Sequence, residues 1–177
     1  MKAHVSLENM IAFLLTTPMF EDLEPQEIKE IIHIVEALKF ESGDNVFLEG
    51  ASGDGWYALY SGEVNVLKQS DNGEIIISTL EPGSCFGEIA VLDGLPRSAT
   101  IRATKETIVL RVPQDTFKDL IDNNHPIAYK LIKHMALMLA SRQRANTESL
   151  SKLLLADELK DVHKGIREIV GDSSISE

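Results

Sequence analysis

Between Phe40 and Val112 the chain cannot settle into long helices, because turn chemistry interrupts it roughly every ten residues. The interruptions read ESGD, EGASGDG, SGE, SDNGE, EPGS and DGLP, and the runs between them (NVFL, WYALY, EVNVLK, EIIISTL, TIRA, TIVLRV) are short, apolar or alternating. Six to eight short strands at that spacing predict an antiparallel sandwich, jelly roll or small barrel. Asn72-Gly73 is the strongest local hairpin signal, since both residues tolerate the positive φ of a type I′ turn.

Helical periodicity flanks this β region. A first helix is expected over about Leu7 to Leu15, ended by Thr17 and Pro18. From Pro25 to Lys39, Ile28, Ile31, Ile32, Val35 and Leu38 fall on one helical face behind a proline suited to a first helical position. After Pro113, Phe117, Leu120 and Ile121 share a face, NNHP breaks the pattern, and a long helix is expected from near Ile127. Between Ile127 and Ala140 that helix is apolar nearly all round (Leu131, Ile132, Met135, Met138, Leu139), so it needs cover on more than one side. A twin helix in a homodimer would supply the second cover. Further on, Leu155, Leu159, Val162, Ile166 and Ile169 form a two-heptad stripe, with Gly165 inside it.

With 177 residues, one filled core with a helical appendage is expected. We divide the chain into residues 1–140, a folded domain, and 141–177, a helical extension open to dimerisation. The formal charge of −11 repels phosphate backbones. The basic residues of the C-terminal third are dispersed rather than gathered in a patch, so direct nucleic-acid binding is not expected. Cys85, the single cysteine, reads as a small core residue in a reducing cytosol. MIAFLL lacks the flanks of a signal peptide, and no apolar run approaches the roughly twenty residues that cross a bilayer. A cytoplasmic protein without membrane association is the expectation.

The segment FGEIAVLDGLPRSAT, residues 86–100, carries the chemistry. Gly87 permits close approach, and EIAVL can form a helical turn whose free N–H groups attract an anion. Arg97 can grip the same anion and Ser98 adds a hydroxyl. Glu88 suits a sugar hydroxyl better than an anion. A nucleotide with one phosphate close to its ribose would satisfy acid and base together. The competing reading is a surface Glu-Arg pair worth at most about 1 kcal/mol, and spacing alone leaves both open. The five histidines, His4, His33, His125, His134 and His163, lie outside the strand region, and Glu88 with Arg97 supplies no activated nucleophile, so neither a metal site nor an enzyme is expected.

FGEIAVL followed by PRSAT resembles the phosphate-binding cassette, roughly FGE-x-ALL then PRAAT, of cyclic nucleotide-binding domains such as the catabolite activator proteins and the regulatory subunits of cAMP-dependent kinases. PMFEDLEPQEIKEI, KFESGDNVFLEG, YALYSGEVNV and TLEPGSCFGE are also similar, so the likeness covers about residues 18–140. It implies a mainly β fold: an antiparallel jelly-roll barrel (double-stranded β-helix) with N-terminal helices and a long C-terminal helix. It implies cAMP or cGMP as ligand and no other cofactor. By position, Glu88 would accept from the ribose 2′-OH; Phe86, Gly87, Ile89, Ala90 and Ala99 would line the sugar-phosphate site; Arg97 would pair with the phosphate beside Ser98. Kinase subunits have alanine where this chain has Ser98, which leaves the base choice open. Aligning the long helix by Met135-Ala136 brings Arg142 or Gln143 to the base. Activators add a helix-turn-helix after that helix; the residues that follow here show no such pattern. The resemblance therefore implies a sensor that repositions its C-terminal helices through the hinge of residues 113–124 and signals through a protein partner or its own dimer. The alternatives are a ligand-independent interaction module, or a transcription-regulator relative without its DNA-binding part.

Overall fold

Eight strands take up the turn-punctuated region: β1 (Glu36–Phe40), β2 (Asn45–Phe47), β3 (Gly55–Ser61), β4 (Val64–Ser70), β5 (Gly73–Leu80), β6 (Cys85–Phe86), β7 (Thr100–Ala103) and β8 (Thr107–Pro113). The computed structural model describes residues 1–170, with side chains to Leu155. All pairings are antiparallel and give two four-stranded sheets, in the orders β1-β8-β3-β6 and β2-β7-β4-β5. Consecutive strands thus alternate between sheets in jelly-roll fashion, except β4 and β5, which form a hairpin within one sheet. The expected antiparallel jelly roll with flanking helices is present, and its two sheets remain separate ladders that do not close into a barrel.

Period-two alternation makes the core. On β3, Tyr57 and Leu59 join Val64, Phe86, Ile101 and Val109 in a buried cluster fed by both sheets, with Leu38, Phe40, Val46, Phe47, Val66 and Leu80 packed around it. The alternate β3 residues Trp56 and Ala58 are equally buried, because that face is covered as well. Trp56 stacks on Phe20 at 5.9 Å and meets the edge of Phe117 at 6.2 Å. Burial on both sides explains why WYALY reads as a continuous apolar run.

Helices supply the cover: α1 (Leu7–Thr16), a 3-10 turn (Pro18–Phe20), α2 (Pro25–Ile34), α3 (Glu88–Asp93), α4 (Gln114–Asp122) and α5 (Pro126–Val170). α2 starts at Pro25 behind a capping box of Glu24 and Glu27. It stops at Ile34, not at Lys39. Val35 is already extended, and Glu36 to Phe40 pair with Arg111 to Thr107 on β8. Val35 and Leu38 continued the helical spacing by coincidence, and a five-residue ladder with β8 overrides it. The β4–β5 hairpin is present, but Ser70 pairs with Gly73, so Asp71 and Asn72 are its central residues. Among the described non-glycine residues only Asn124 has positive φ, whereas Gly73 has φ +109°. The turn is therefore not type I′ about Asn72-Gly73. Glycine takes the one left-handed position instead.

The chain separates into two compact units, Met1–Met135 and the residues from Ala136 onward. In the first, α5 buries Ile127, Ala128, Leu131, His134 and Met135. Its exposed edge is tied down by ion pairs from Lys130 to Glu27 (2.7 Å) and from Lys133 to Asp22 (2.6 Å), with His134 Nε2 also on Asp22, at 2.9 Å. In the second unit α5 exposes Leu137, Leu150, Leu153, Leu154 and Leu155. The rest of the heptad stripe lies outside the residues whose side chains are described. No helix among the described residues is long and apolar enough to cross a membrane.

Candidate ligand-binding site

Two left-handed glycines within the FGEIAVLDGLPRSAT segment frame α3. Gly87 (φ +79°) caps the start of α3 and Gly94 (φ +71°) caps its end. At Gly87 the requirement is double: an added Cβ would also lie 2.8 Å from Arg97 Nη1, 3.2 Å from Tyr57 and 3.3 Å from Phe47. The chain folds tightly here because only glycine satisfies both the backbone angle and the space. Phe86, just before it, is buried and stacks on Tyr57 at 5.3 Å with the planes 10° apart. Ala90 is buried, whereas Ile89 is 40% exposed.

Glu88 and Arg97 are 1% and 2% exposed. The surface ion pair considered from the sequence therefore does not describe them. Arg97 is held from several sides. Its Nη1 donates to Gly87 O at 2.7 Å, and Nη2 donates to Gly55 O at 2.7 Å and to Asp54 Oδ1 at 2.6 Å. The guanidinium carbon sits 4.1 Å above the Phe47 ring and 5.6 Å from that of Tyr57, a stacking geometry favourable to a planar cation. Its Nε is buried with no hydrogen-bond partner among the described residues. A buried donor without a partner is costly, so an anion reaching Nε would be stabilised there.

Asp54 is the group the sequence did not reveal. Its carboxylate accepts from Arg97, from Tyr57 Oη (2.8 Å) and from Arg111 Nη1 (2.7 Å), while Arg111 also pairs with Glu36. Burial alone would raise the Asp54 pKa, but the hydrogen bonds from Tyr57, Arg111 and Arg97 outweigh it and hold the carboxyl below its usual range. Burial first, then the hydrogen bond to Asp54 and its charge, pushes the Tyr57 phenol up. In the sequence Asp54 sits within GASGDG, where its residue type signals a turn. A lone acid between two glycines at the mouth of an aromatic strand was the available signal. Phe47 and Tyr57 gave no more than a strand pattern.

The first unit brings Phe86, Gly87, Glu88, Ile89, Ala90, Arg97, Ser98 and Ala99 into one segment around α3. Ser98 is exposed and Ala99 half-buried. Arg142 and Gln143 lie on α5 within the second unit.

The family model described as the cyclic nucleotide-binding domain matches residues 37–124. Residues 37–124 form a domain of the cyclic nucleotide-binding family. Over 110 residues the chain is 36% identical to a cAMP-dependent protein kinase regulatory subunit of Aspergillus fumigatus, a match covering 62% of this chain and 26% of that protein. The chain thus spans about a quarter of the length of that relative. The catabolite activator protein of Thermus thermophilus superposes with a TM-score of 0.67 at 28% identity, covering 77% of this chain and 62% of that one. The regulatory domain of Toxoplasma gondii PKA, crystallised with cAMP, gives a TM-score of 0.59 at 28% identity over 63% of this chain and 43% of that one. These relatives are regulatory proteins by name, and the fold they share with this domain is the jelly roll with flanking helices.

Proposed function

We propose that this chain is a cyclic mononucleotide sensor that takes cAMP, the ligand named in its relatives, with cGMP as the alternative that Ser98 leaves open. The observation that carries the reading is Arg97: a guanidinium buried near the end of the cassette, stacked on aromatic rings, with Nε unpartnered among the described residues and Nη2 already on an anionic oxygen of Asp54. A cyclic phosphate is the same kind of acceptor. In the bound state Arg97 donates to the phosphate, Ser98 adds its hydroxyl, and the amides of Ile89 and Ala90 line the sugar-phosphate site. Glu88 accepts from the ribose 2′-OH. Arg142 or Gln143 meets the base.

Residues 1–140 act as the sensing domain and 141–177 as the output extension. Asp54 links the two ends of this scheme. It holds Arg97 through its carboxylate, and its carbonyl accepts the Gln114 N–H at 3.0 Å, at the first residue of α4. A phosphate that draws Arg97 from Asp54 therefore acts on the residue whose carbonyl holds the start of α4, within the hinge. Phe117, Leu120 and Ile121 carry that change to α5, and the output is a protein partner or a homodimer formed through α5. Only differential affinity for the two arrangements gives the ligand this leverage. Catalysis and direct nucleic-acid binding form no part of the scheme.

A thermal-shift screen against cAMP, cGMP and 5′-AMP tests it. At about 100-fold above Kd, a cyclic nucleotide should stabilise the fold by about 2.7 kcal/mol. If neither cyclic nucleotide shifts the melting temperature and none copurifies, the sensor reading fails and an interaction module that needs no ligand replaces it. A solution mass near that of one chain, with and without ligand, would rule out the homodimer.

A further inference from the structure

The backbone that presents Arg97 and Ser98 is fixed by a residue outside the cassette. Two stretches run beside each other as a short ladder: Arg97 N–H donates to Ala51 O at 2.8 Å, Gly50 N–H to Arg97 O at 2.9 Å, and Glu49 N–H to Thr100 Oγ1 at 2.9 Å. The next carbonyl along, that of Ser98, accepts from Lys68 Nζ at 2.9 Å. The same ammonium pairs with Glu49 Oε1 at 2.5 Å, and the other oxygen of Glu49 accepts the Gln69 N–H at 3.0 Å. Lys68 sits on β4, an interior strand paired to β5 on one side and β7 on the other.

Each peptide unit is planar and trans, so fixing a carbonyl fixes the opposite direction of the N–H that follows it. Gly50 fixes the unit between Arg97 and Ser98, and Lys68 fixes the unit between Ser98 and Ala99. Together they fix both backbone torsions of Ser98, and with them the direction of its N–H and of the Cβ that carries its hydroxyl. We propose that Lys68, with Glu49, is a positioning residue for the anion site: it anchors the Ser98 carbonyl to β4 and so holds the Arg97–Ala99 backbone in the arrangement that receives the phosphate. The inference rests on the cyclic-nucleotide reading for its ligand. The lysine is 49% exposed, so its ion pair by itself contributes little to global stability. Its effect should appear in binding rather than in folding.

Calorimetry with cAMP on the full chain, together with amide hydrogen exchange on the ligand-free protein, tests this for Lys68→Ala, Lys68→Arg and Glu49→Gln. The expected result for Lys68→Ala is a melting temperature close to the parent's, cAMP binding weakened by about fivefold or more, and faster exchange confined to residues 49–51 and 97–100. Lys68→Arg should stay within about twofold of the parent, because it keeps a cationic donor. Glu49→Gln, which keeps Lys68 but loosens its hold, should fall between. Unchanged cAMP affinity in Lys68→Ala, equal losses in the alanine and arginine variants, or exchange rising across β4 and β7 alike would each overturn the proposal. If the parent binds no cyclic nucleotide, the ligand reading falls by that result alone, and the exchange pattern still decides whether Lys68 fixes this backbone.

Discussion

Asp54→Asn isolates the anion that Arg97 already holds. The side chain keeps its shape, but an amide has one acceptor oxygen where the carboxylate has two. With its oxygen turned to Arg97 and Tyr57, its NH2 faces Arg111 Nη1; turned the other way, the NH2 faces Arg97, which is 1% exposed in its side chain. The first orientation is the less costly, because Arg111 retains Glu36. What is lost is the charge opposite a buried guanidinium and one charge-assisted hydrogen bond, each on the order of 1.5–3 kcal/mol when fully buried. The Asp54 side chain is half exposed, so solvent screening reduces the sum, and Gly87 O and Gly55 O still accept from Arg97. A net destabilisation of about 2 kcal/mol follows, which for a chain of this size is about 4–8 °C in melting temperature. Saturating cAMP should narrow the gap, since the phosphate supplies the missing anion. The pH dependence has a definite sign. Asp54 has a folded pKa below its ordinary 3.8, so at intermediate pH the unfolded chain binds the extra proton. Its contribution is fully present above that ordinary value and is lost as pH falls through the lower, folded one. The parent and variant curves should therefore converge only below about pH 3.8. Differential scanning calorimetry with and without cAMP decides the matter. A variant as stable as the parent at neutral pH, or a deficit that saturating cAMP leaves untouched, would refute the idea that carboxylate and phosphate are alternative partners of Arg97.

Other perturbations probe neighbouring parts. Gly87→Ala forces a left-handed alanine against Arg97, Tyr57 and Phe47, and should destabilise by about 2–4 kcal/mol from backbone and overpacking together, read as a lowered urea midpoint. Glu88→Gln should bind cAMP more weakly yet discriminate less against 2′-deoxy-cAMP; competition titrations that preserve the parent's discrimination would separate Glu88 from the ribose. Asp22→Ala removes the acceptor shared by Lys133 and His134, so amide exchange should quicken in residues 126–135 and not in the β-sheets.

Strand positions were legible because Gly, Pro, Asn and Asp punctuate the chain at jelly-roll spacing, whereas boundaries that depend on pairing were not. Ile32, Val35 and Leu38 satisfy a helical spacing as well as they satisfy the end of α2 followed by β1, and only β8 decides between them. Asn72-Gly73 marked a hairpin correctly but misplaced its centre by one residue, since the register is set along all of β4 and β5. Glu88 and Arg97 stood out as an isolated acid and base, and a cassette motif spans them. Asp54 did not stand out. It lies 43 residues before Arg97 and meets it only because β3 lies beside β6, next to the cassette. Lys68 is hidden for the same reason: its relation to Ser98 exists across strands, not along the chain.

Trp56 is the chain's single tryptophan, fully buried, with Phe20 against its face and Phe117 of α4 at its edge. Its indole N–H is buried without a hydrogen-bond partner among the described residues. Indole emission responds to the polarity and the ring contacts around it, so any displacement of Phe117 is written into the ultraviolet spectrum of the unlabelled protein. The chain carries its own optical gauge of α4, at the element through which a bound nucleotide would be felt, and a rapid-mixing trace at one wavelength would time that motion without a dye, a tag or a mutation.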